Sequence, residues 1–187
     1  MKYLIAGLGN IGAEYENTRH NVGFMALGIF VQKNNVTFTL DRHAFVAEKR
    51  LKGNQIVLIK PTTYMNLSGK AINYWLQKEN INLQNLLVIV DDLALSTGQL
   101  RMKKSGGAGG HNGLTNIIET LKTDNFCRLR IGIDSNFLVG HQIDYVLNKF
   151  KAEELTILEE KLPVTTEIIN SFVLQGADKT MNLYNNK

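Results

Sequence analysis

The chain has 187 residues, of which 44% are hydrophobic and 20% are charged. These values are typical of a soluble globular protein with a single domain, and they exclude a largely disordered chain. Lys and Arg outnumber Asp and Glu by 21 to 17, and the net charge of +4 is compatible with a polyanionic partner without requiring one.

No long apolar segment is present. The longest aliphatic run, residues 86–90, is far shorter than the roughly 20 residues that a membrane span needs. The N-terminus reaches its first glycines too early for a signal peptide, and the single cysteine, Cys127, has no partner for an internal disulfide. We therefore expect a cytoplasmic protein with no membrane association, forming one domain over residues 1–187.

The first half of the chain predicts strands on either side of an amphipathic helix. Apolar residues recur at helical spacing from Val22 to Phe30, and Pro61 ends a strand. The predicted strands are residues 3–8, 37–41, 45–51 and 55–59, and the predicted helices are residues 21–34 and 67–78.

The second half begins with the apolar run at 86–90, which is typical of a strand covered on both faces. Alternating patterns predict further strands at 100–103 and 128–133. Helices are expected at residues 112–122, 142–147 and 152–174, the last interrupted or kinked at Pro163. Because strands and helices alternate, the sequence predicts an α/β fold with a sheet between layers of helices.

The first predicted strand leads into Gly7, Gly9 and Gly12, which match the dinucleotide-binding pattern G-x-G-x-x-G. That pattern also requires an acidic residue about 20 positions later, and residues 29–36 contain none. A nucleotide-dependent oxidoreductase is therefore an alternative with weak support, and a simple glycine turn is the better interpretation.

Two groups suited to acid–base chemistry stand at the ends of predicted elements. His20 precedes the first helix, and Asp91 and Asp92 directly follow the strand at 86–90. The carboxyl end of a buried strand is where α/β folds place their ligands. Asp91 is thus able to hold a histidine in one tautomer, although a role as a turn or helix cap is equally compatible with the sequence.

A glycine-rich loop at residues 105–110 runs into His111 and Asn112 at a helix start. It is not a P-loop, because no Gly-Lys-Ser/Thr follows it. Its glycines allow a ligand to come close to the backbone, or allow the loop to move as a lid. A flexible connector is the alternative.

Basic residues occupy one face of two predicted strands. Arg101 and Lys103 share a face of one strand, and Arg128 and Arg130 share a face of the other. Such pairs predict either a phosphate-binding patch or a solvated outer face. Motifs for a serine hydrolase or a zinc site are absent from the sequence, and Cys127 is expected to be buried.

Several segments, in this order, resemble bacterial peptidyl-tRNA hydrolases. They are Leu8-Gly9-Asn10 with Gly12-Ala13-Glu14-Tyr15, Thr18-Arg19-His20-Asn21-Val22-Gly23, residues 60–69 (KPTTYMNLSG), Asp91-Asp92-Leu93, residues 106–114 (GGAGGHNGL), residues 128–133 (RLRIGI), and Asp144-Tyr145-Val146-Leu147 with Lys149-Phe150. The resemblance covers residues 3–150 without a large gap.

This resemblance implies a single-domain enzyme with a mixed, twisted sheet between helices. Such an enzyme hydrolyses the ester between peptide and tRNA, recycles tRNA from aborted translation, and acts as a monomer without a metal or organic cofactor. By position, His20 is expected to be the catalytic base and Asp91 its orienting partner. The other implied site residues are Asn10, Tyr15, Met65, Asn66, His111 and Asn112 for the peptide–tRNA junction, and Lys103 and Arg130 for a tRNA phosphate.

The sequence also departs from the family pattern. Ile11 replaces a common proline, Ala94 an aspartate and Ser96 a proline, while residues 134–136 replace a glycine–proline turn. None of these changes falls on the expected catalytic pair, so we expect activity to be retained. A non-catalytic RNA-binding module that uses the basic strands is the alternative from another class.

Overall fold

The computed structural model describes residues 1–185, which form one α/β domain with seven strands and six α-helices. The strands are β1 Lys2–Gly7, β2 Thr39–Asp41, β3 Ala44–Leu51, β4 Asn54–Pro61, β5 Leu86–Asp92, β6 Leu100–Lys103 and β7 Cys127–Gly132. The helices are α1 Val22–Lys33, α2 Ser68–Lys78, α3 Asn112–Leu121, α4 Gln142–Leu147, α5 Ala152–Gln175 and α6 Ala177–Tyr184.

The strands form one mixed sheet in the order β2-β3-β4-β1-β5-β7-β6. The four central strands β4, β1, β5 and β7 run parallel, whereas β2, β3 and β6 pair antiparallel with their neighbours. The carboxyl ends of the central strands therefore meet at one edge, where α/β sheets bind their ligands. The predicted α/β class, with helices around one mixed sheet, is confirmed.

Helices cover both faces of this sheet. The helices α1, α5 and α6 pack on one face, and α2 and α3 pack on the other. Side chains of β1 alternate between the two cores, with Tyr3 and Ile5 on the α1 side and Leu4 and Ala6 on the α2 side. Strand β5 is buried on both faces, as its continuous apolar run predicts.

The glycines of the dinucleotide-like pattern allow α1 to approach the sheet closely. A Cβ on Gly7 would lie 2.4 Å from the carbonyl oxygen of Gly23, and a Cβ on Gly9 would lie 2.7 Å from the ring of Phe24. Gly12 has a φ of 116°, a backbone conformation that glycine adopts most readily. Packing and turn geometry thus account for the pattern without a nucleotide.

Apart from shifts of one or two residues at the ends of other elements, the structure differs from the predicted elements at three places. Strand β5 continues through Asp92, because its last two residues pair with β7. Helix α5 runs through Pro163 without interruption. Helix α6 was not predicted, and Gly176, with a φ of 82°, separates it from α5. None of the helices within residues 1–185 combines the length and hydrophobicity that crossing a bilayer requires.

Candidate active site

A cavity of about 750 Å³ opens at the carboxyl edge of the sheet, between the segments that follow β1, β4 and β5 and the glycine-rich loop before α3. Every site residue that the family resemblance implies lines this cavity. These residues are Asn10, Tyr15, His20, Met65, Asn66, Asp91, Lys103, His111, Asn112 and Arg130. The fold therefore gathers the predicted residues into a single site.

His20 and Asp91 form a buried hydrogen-bonded pair in this cavity. His20 lies in a short 3-10 turn between β1 and α1, and Asp91 is near the end of β5. The imidazole Nδ1 lies 3.0 Å from each carboxylate oxygen of Asp91. Because an ionised carboxylate only accepts hydrogen bonds, Nδ1 carries the proton and the Nε2 of neutral His20 keeps its lone pair.

His111 approaches the same carboxylate from the start of α3. Its Nε2 lies 2.9 Å from Asp91 Oδ1, and its Nδ1 accepts the backbone N–H groups of Gly113 and Leu114 at 3.1 and 3.2 Å. Two donors on Nδ1 place the proton of neutral His111 on Nε2, which donates it to Asp91. The contact between His111 and Asp91 was not predicted from the sequence.

The two histidines determine the ionisation of Asp91. Burial alone raises the pKa of this carboxyl group, but the charge and hydrogen bonds of His111 and His20 outweigh burial and hold the pKa below its usual range. Asp91 is therefore an anion at neutral pH. As an anion it accepts hydrogen bonds from both imidazole rings.

His20, Asp91 and His111 also have the spacing of metal ligands, with one donor atom from each within 4.8 Å of the others. The hydrogen bonds argue against such a use. Nδ1 of His111 already accepts two backbone N–H groups, so coordination through Nε2 would require the ring to lose its remaining proton. The arrangement is suited to proton transfer.

Hydrogen bonds from two other segments hold Asn10 beside the His20–Asp91 pair. Its backbone N–H donates to Asn21 Oδ1 at 2.8 Å, and Asn21 Nδ2 donates back to the Asn10 carbonyl at 2.9 Å. The side-chain Oδ1 of Asn10 accepts the backbone N–H of Met65 at 2.8 Å. Within residues 1–185, the amide nitrogen of Asn10 has no hydrogen-bond partner, so it remains available as a donor in the cavity.

Arg19, next to His20, connects the turn to α4 and α5. Its buried guanidinium donates twice to Glu154, at 3.2 and 2.7 Å. It also donates at 3.2 to 3.3 Å to three backbone carbonyls at the end of α4, those of Tyr145, Asn148 and Lys149. This role was not predicted from the sequence, because no local signal reveals partners more than 120 positions away.

The basic residues of β6 and β7 share a face, as predicted, but they have different environments. Lys103 is exposed, and Arg130 pairs with Asp92. Arg128 is buried, and its guanidinium donates to the carbonyls of Gly106 and Gly107 at 2.6 and 3.1 Å. Of the two alternatives left open for these strands, the solvated outer face is wrong for Arg128, since its buried side chain holds the glycine-rich loop.

The departures from the family pattern are accommodated locally. Asp134 begins the segment that replaces the expected glycine–proline turn; it adopts a φ of 59°, and its carboxylate accepts two hydrogen bonds from Thr97 at 2.9 Å. Ala94 donates its backbone N–H to Asp92 at 2.8 Å. Neither position contacts His20 or Asp91 through a hydrogen bond or ion pair.

Comparison with known proteins identifies the family of this chain. A sequence model described as peptidyl-tRNA hydrolase matches residues 4–187. The chain belongs to the peptidyl-tRNA hydrolase family. The resemblance stated from the sequence motifs is therefore confirmed.

Relatives within the family match over their whole length. The peptidyl-tRNA hydrolases of Cytophaga hutchinsonii and Bacteroides fragilis are each 53% identical over 187 residues, covering 100% of both chains. The crystal structure of peptidyl-tRNA hydrolase from Acinetobacter baumannii superimposes with a TM-score of 0.92 at 32% identity, covering 98% of this chain and 94% of that one. The family fold is thus retained throughout.

Proposed function

We propose that this protein hydrolyses the ester bond between peptide and tRNA in peptidyl-tRNA, and so recycles tRNA from aborted translation. The observation that carries the proposal is the His20–Asp91 pair, which opens onto a cavity large enough for the peptide–tRNA junction. Membership of the peptidyl-tRNA hydrolase family supports the choice of substrate. The whole chain, residues 1–187, acts as the catalytic domain.

In the proposed reaction His20 is the general base. Asp91 holds the proton on Nδ1, so Nε2 accepts a proton from water as the water oxygen attacks the ester carbonyl carbon. The bond between that carbon and the ribose oxygen then breaks, and the ribose oxygen takes the proton from Nε2. General-base assistance of this kind contributes roughly 10²–10⁴-fold to the rate.

Three asparagines bind the reacting group and the peptide backbone in this proposal. The amide nitrogen of Asn10 donates to the carbonyl oxygen as it becomes an oxyanion, since its own Oδ1 is held by Met65. Asn66 and Asn112 line the same cavity with exposed side chains. Amide groups donate and accept, so they recognise a peptide backbone whatever its sequence.

The remaining residues act on either side of the junction. Tyr15 and Met65 form the wall against the substrate, and His111 supports Asp91 beside it. Lys103 and Arg130 lie at the basic end of the cavity, where they bind a phosphate of the tRNA. The proposed enzyme works as a cytoplasmic monomer with no metal or organic cofactor.

The test compares two histidine variants that differ only in position. Release of tRNA from N-acetyl-aminoacyl-tRNA is measured in EDTA for wild type, His20→Asn and His43→Asn. His43 does not line the cavity, so its variant serves as the matched control. We expect His20→Asn alone to lose hydrolysis, by at least about 10²-fold, while it still binds tRNA.

Other outcomes discriminate between the alternatives. Binding of tRNA with no hydrolysis by the wild-type protein would favour the RNA-binding module. Trapping of a peptide ester on any side chain during turnover would refute direct attack by water.

A further inference from the structure

A second groove, of about 510 Å³, lies on the far side of the loop that follows β1. It runs between the first half of α1 and the sheet, and residues 10–13 separate it from the active-site cavity. Asn10 borders both spaces. The proposed reaction leaves this groove without a role.

Lys60 of β4 is the cation of this groove, which we call the Lys60 groove. Its ammonium lies 4.7 Å from the ring centroid of Phe38 and 5.6 Å from that of Phe24. Phe45, the cross-strand partner of Lys60, also borders the groove. Burial among these rings lowers the pKa of Lys60.

The Lys60 ammonium is only partly satisfied by its surroundings. It has three N–H donors, and none of them makes a hydrogen bond or ion pair with any residue in the part of the chain that the structure describes. Glu16 also borders the groove, but its carboxylate makes no ion pair with Lys60. Aromatic rings attract the charge but offer no oxygen acceptor, so a partly buried donor group is left open to a ligand.

The ligand that complements this groove is a carboxylate on a short apolar stem. The carboxylate would accept charge-assisted hydrogen bonds from Lys60, and the stem would contact the phenylalanine rings. An extended peptide covers about 7 to 14 Å in two to four residues. Because Asn10 borders both spaces, a substrate peptide whose ester lies beside Asn10 can extend into the Lys60 groove over that length.

We propose that the Lys60 groove is a subsite for an acidic side chain of the substrate peptide, two to four residues before the esterified one. This inference rests on the proposed function, because it concerns the peptide portion of the same substrate. The Lys60 subsite makes hydrolysis selective among peptide sequences, whereas the asparagines of the active site bind only the peptide backbone.

The test uses tRNAs that carry N-acetylated peptides of alanine with a single Glu or Gln at each of those positions. The kcat/KM ratio of the Glu substrate to the Gln substrate is measured for wild type, Lys60→Met, Lys60→Arg and Lys179→Met. Lys179 is exposed on α6, and Lys179→Met removes the same charge as Lys60→Met. This variant is therefore the control for overall electrostatics.

We expect a ratio of about ten at one position for wild type and Lys179→Met, which corresponds to about 1.4 kcal/mol. The ratio should fall to about one in Lys60→Met and recover partly in Lys60→Arg. A Glu-to-Gln ratio of one for every variant, or a preference for Glu that survives Lys60→Met, would overturn the subsite. Hydrolysis of the all-alanine substrate in the same experiment would still uphold the proposed function. Failure of every variant and of wild type to cleave that substrate would overturn both.

Discussion

The Nδ1 atom of His20 lies at the same distance, 3.0 Å, from both carboxylate oxygens of Asp91. The N–H of His20 is therefore directed at the carboxylate as a whole. Oδ1 also accepts the Nε2–H of His111, so one anion orients two rings whose centroids are 4.8 Å apart. The tautomer of each ring follows from its contact with Asp91.

Replacement of Asp91 by Asn should lower kcat by about 10²–10⁴-fold with little change in KM. An amide in this place can donate to Nδ1 of His20, which would stabilise the tautomer with the proton on Nε2, the wrong one for a base. Single-turnover hydrolysis measures the effect. Asp178→Asn, which changes an exposed ion pair with Lys104, is the control and should leave kcat unchanged; a wild-type kcat in Asp91→Asn would contradict the mechanism.

Asp91 should also make stability depend on acid pH. Its pKa is lowered in the folded state from an unfolded value near 3.9, so its contribution is complete above about pH 5 and is lost as the pH falls below about 4. Urea unfolding of wild type and Asp91→Asn between pH 3 and 7 measures this. The difference in free energy of unfolding should shrink toward acid pH, and a constant difference would exclude the linkage.

Arg19→Met should destabilise the protein by about 3–5 kcal/mol, because it leaves Glu154 and three carbonyls without their buried partner. The matched control is Lys104→Met, which breaks a well-exposed ion pair and should leave the unfolding midpoint almost unchanged. Equal effects of the two substitutions in denaturant unfolding would show that burial of the Arg19 pair is unimportant.

Gly7→Ala should cost about 1–3 kcal/mol or more, since the new methyl group would meet the backbone of Gly23 at 2.4 Å. Gly107→Ala is the comparison, because a Cβ there has no neighbour within 4 Å. Thermal unfolding of both variants measures the difference. Similar unfolding midpoints would mean that α1 can move away from β1 at Gly7 and make room for the added methyl group at little cost.

Lys103→Ala should reduce the salt dependence of substrate binding. If Lys103 contacts one phosphate, the slope of log affinity against log salt concentration decreases by about one. Lys179→Ala, which makes the same charge change at an exposed residue that does not line the cavity, should keep the wild-type slope. The slopes are obtained from the apparent KM at several salt concentrations. An unchanged slope in Lys103→Ala would show that Lys103 does not contact a tRNA phosphate.

Local patterns in the sequence predicted most of the fold. The apolar run at 86–90 became the central strand β5, and the glycine-rich loop at 105–110 leads into α3 as predicted. Helix α6 was missed, because its amphipathic pattern is short and follows directly on α5. These signals reside in neighbouring residues, which is why they can be interpreted without the tertiary structure.

Contacts between distant segments could not be predicted in this way. Family motifs placed His20, Asp91 and His111 at one site, but only the fold brings His111 onto the carboxylate. Strand alternation placed Arg128 on the same face as Arg130, and it carries no information on the loop that covers Arg128. The unpaired ammonium of Lys60 likewise depends on three elements that converge from separate parts of the chain.

Arg19 and His20 are consecutive, so a single peptide bond joins the anchor of α4 to the proposed base. Any local opening of α4 takes acceptors away from the Arg19 guanidinium, and the turn that fixes His20 loses its restraint in the same event. We therefore expect amide hydrogen exchange in α4 and disorder of the His20 ring to report one cooperative unit. Helix α4 and the proposed base should then open and close together.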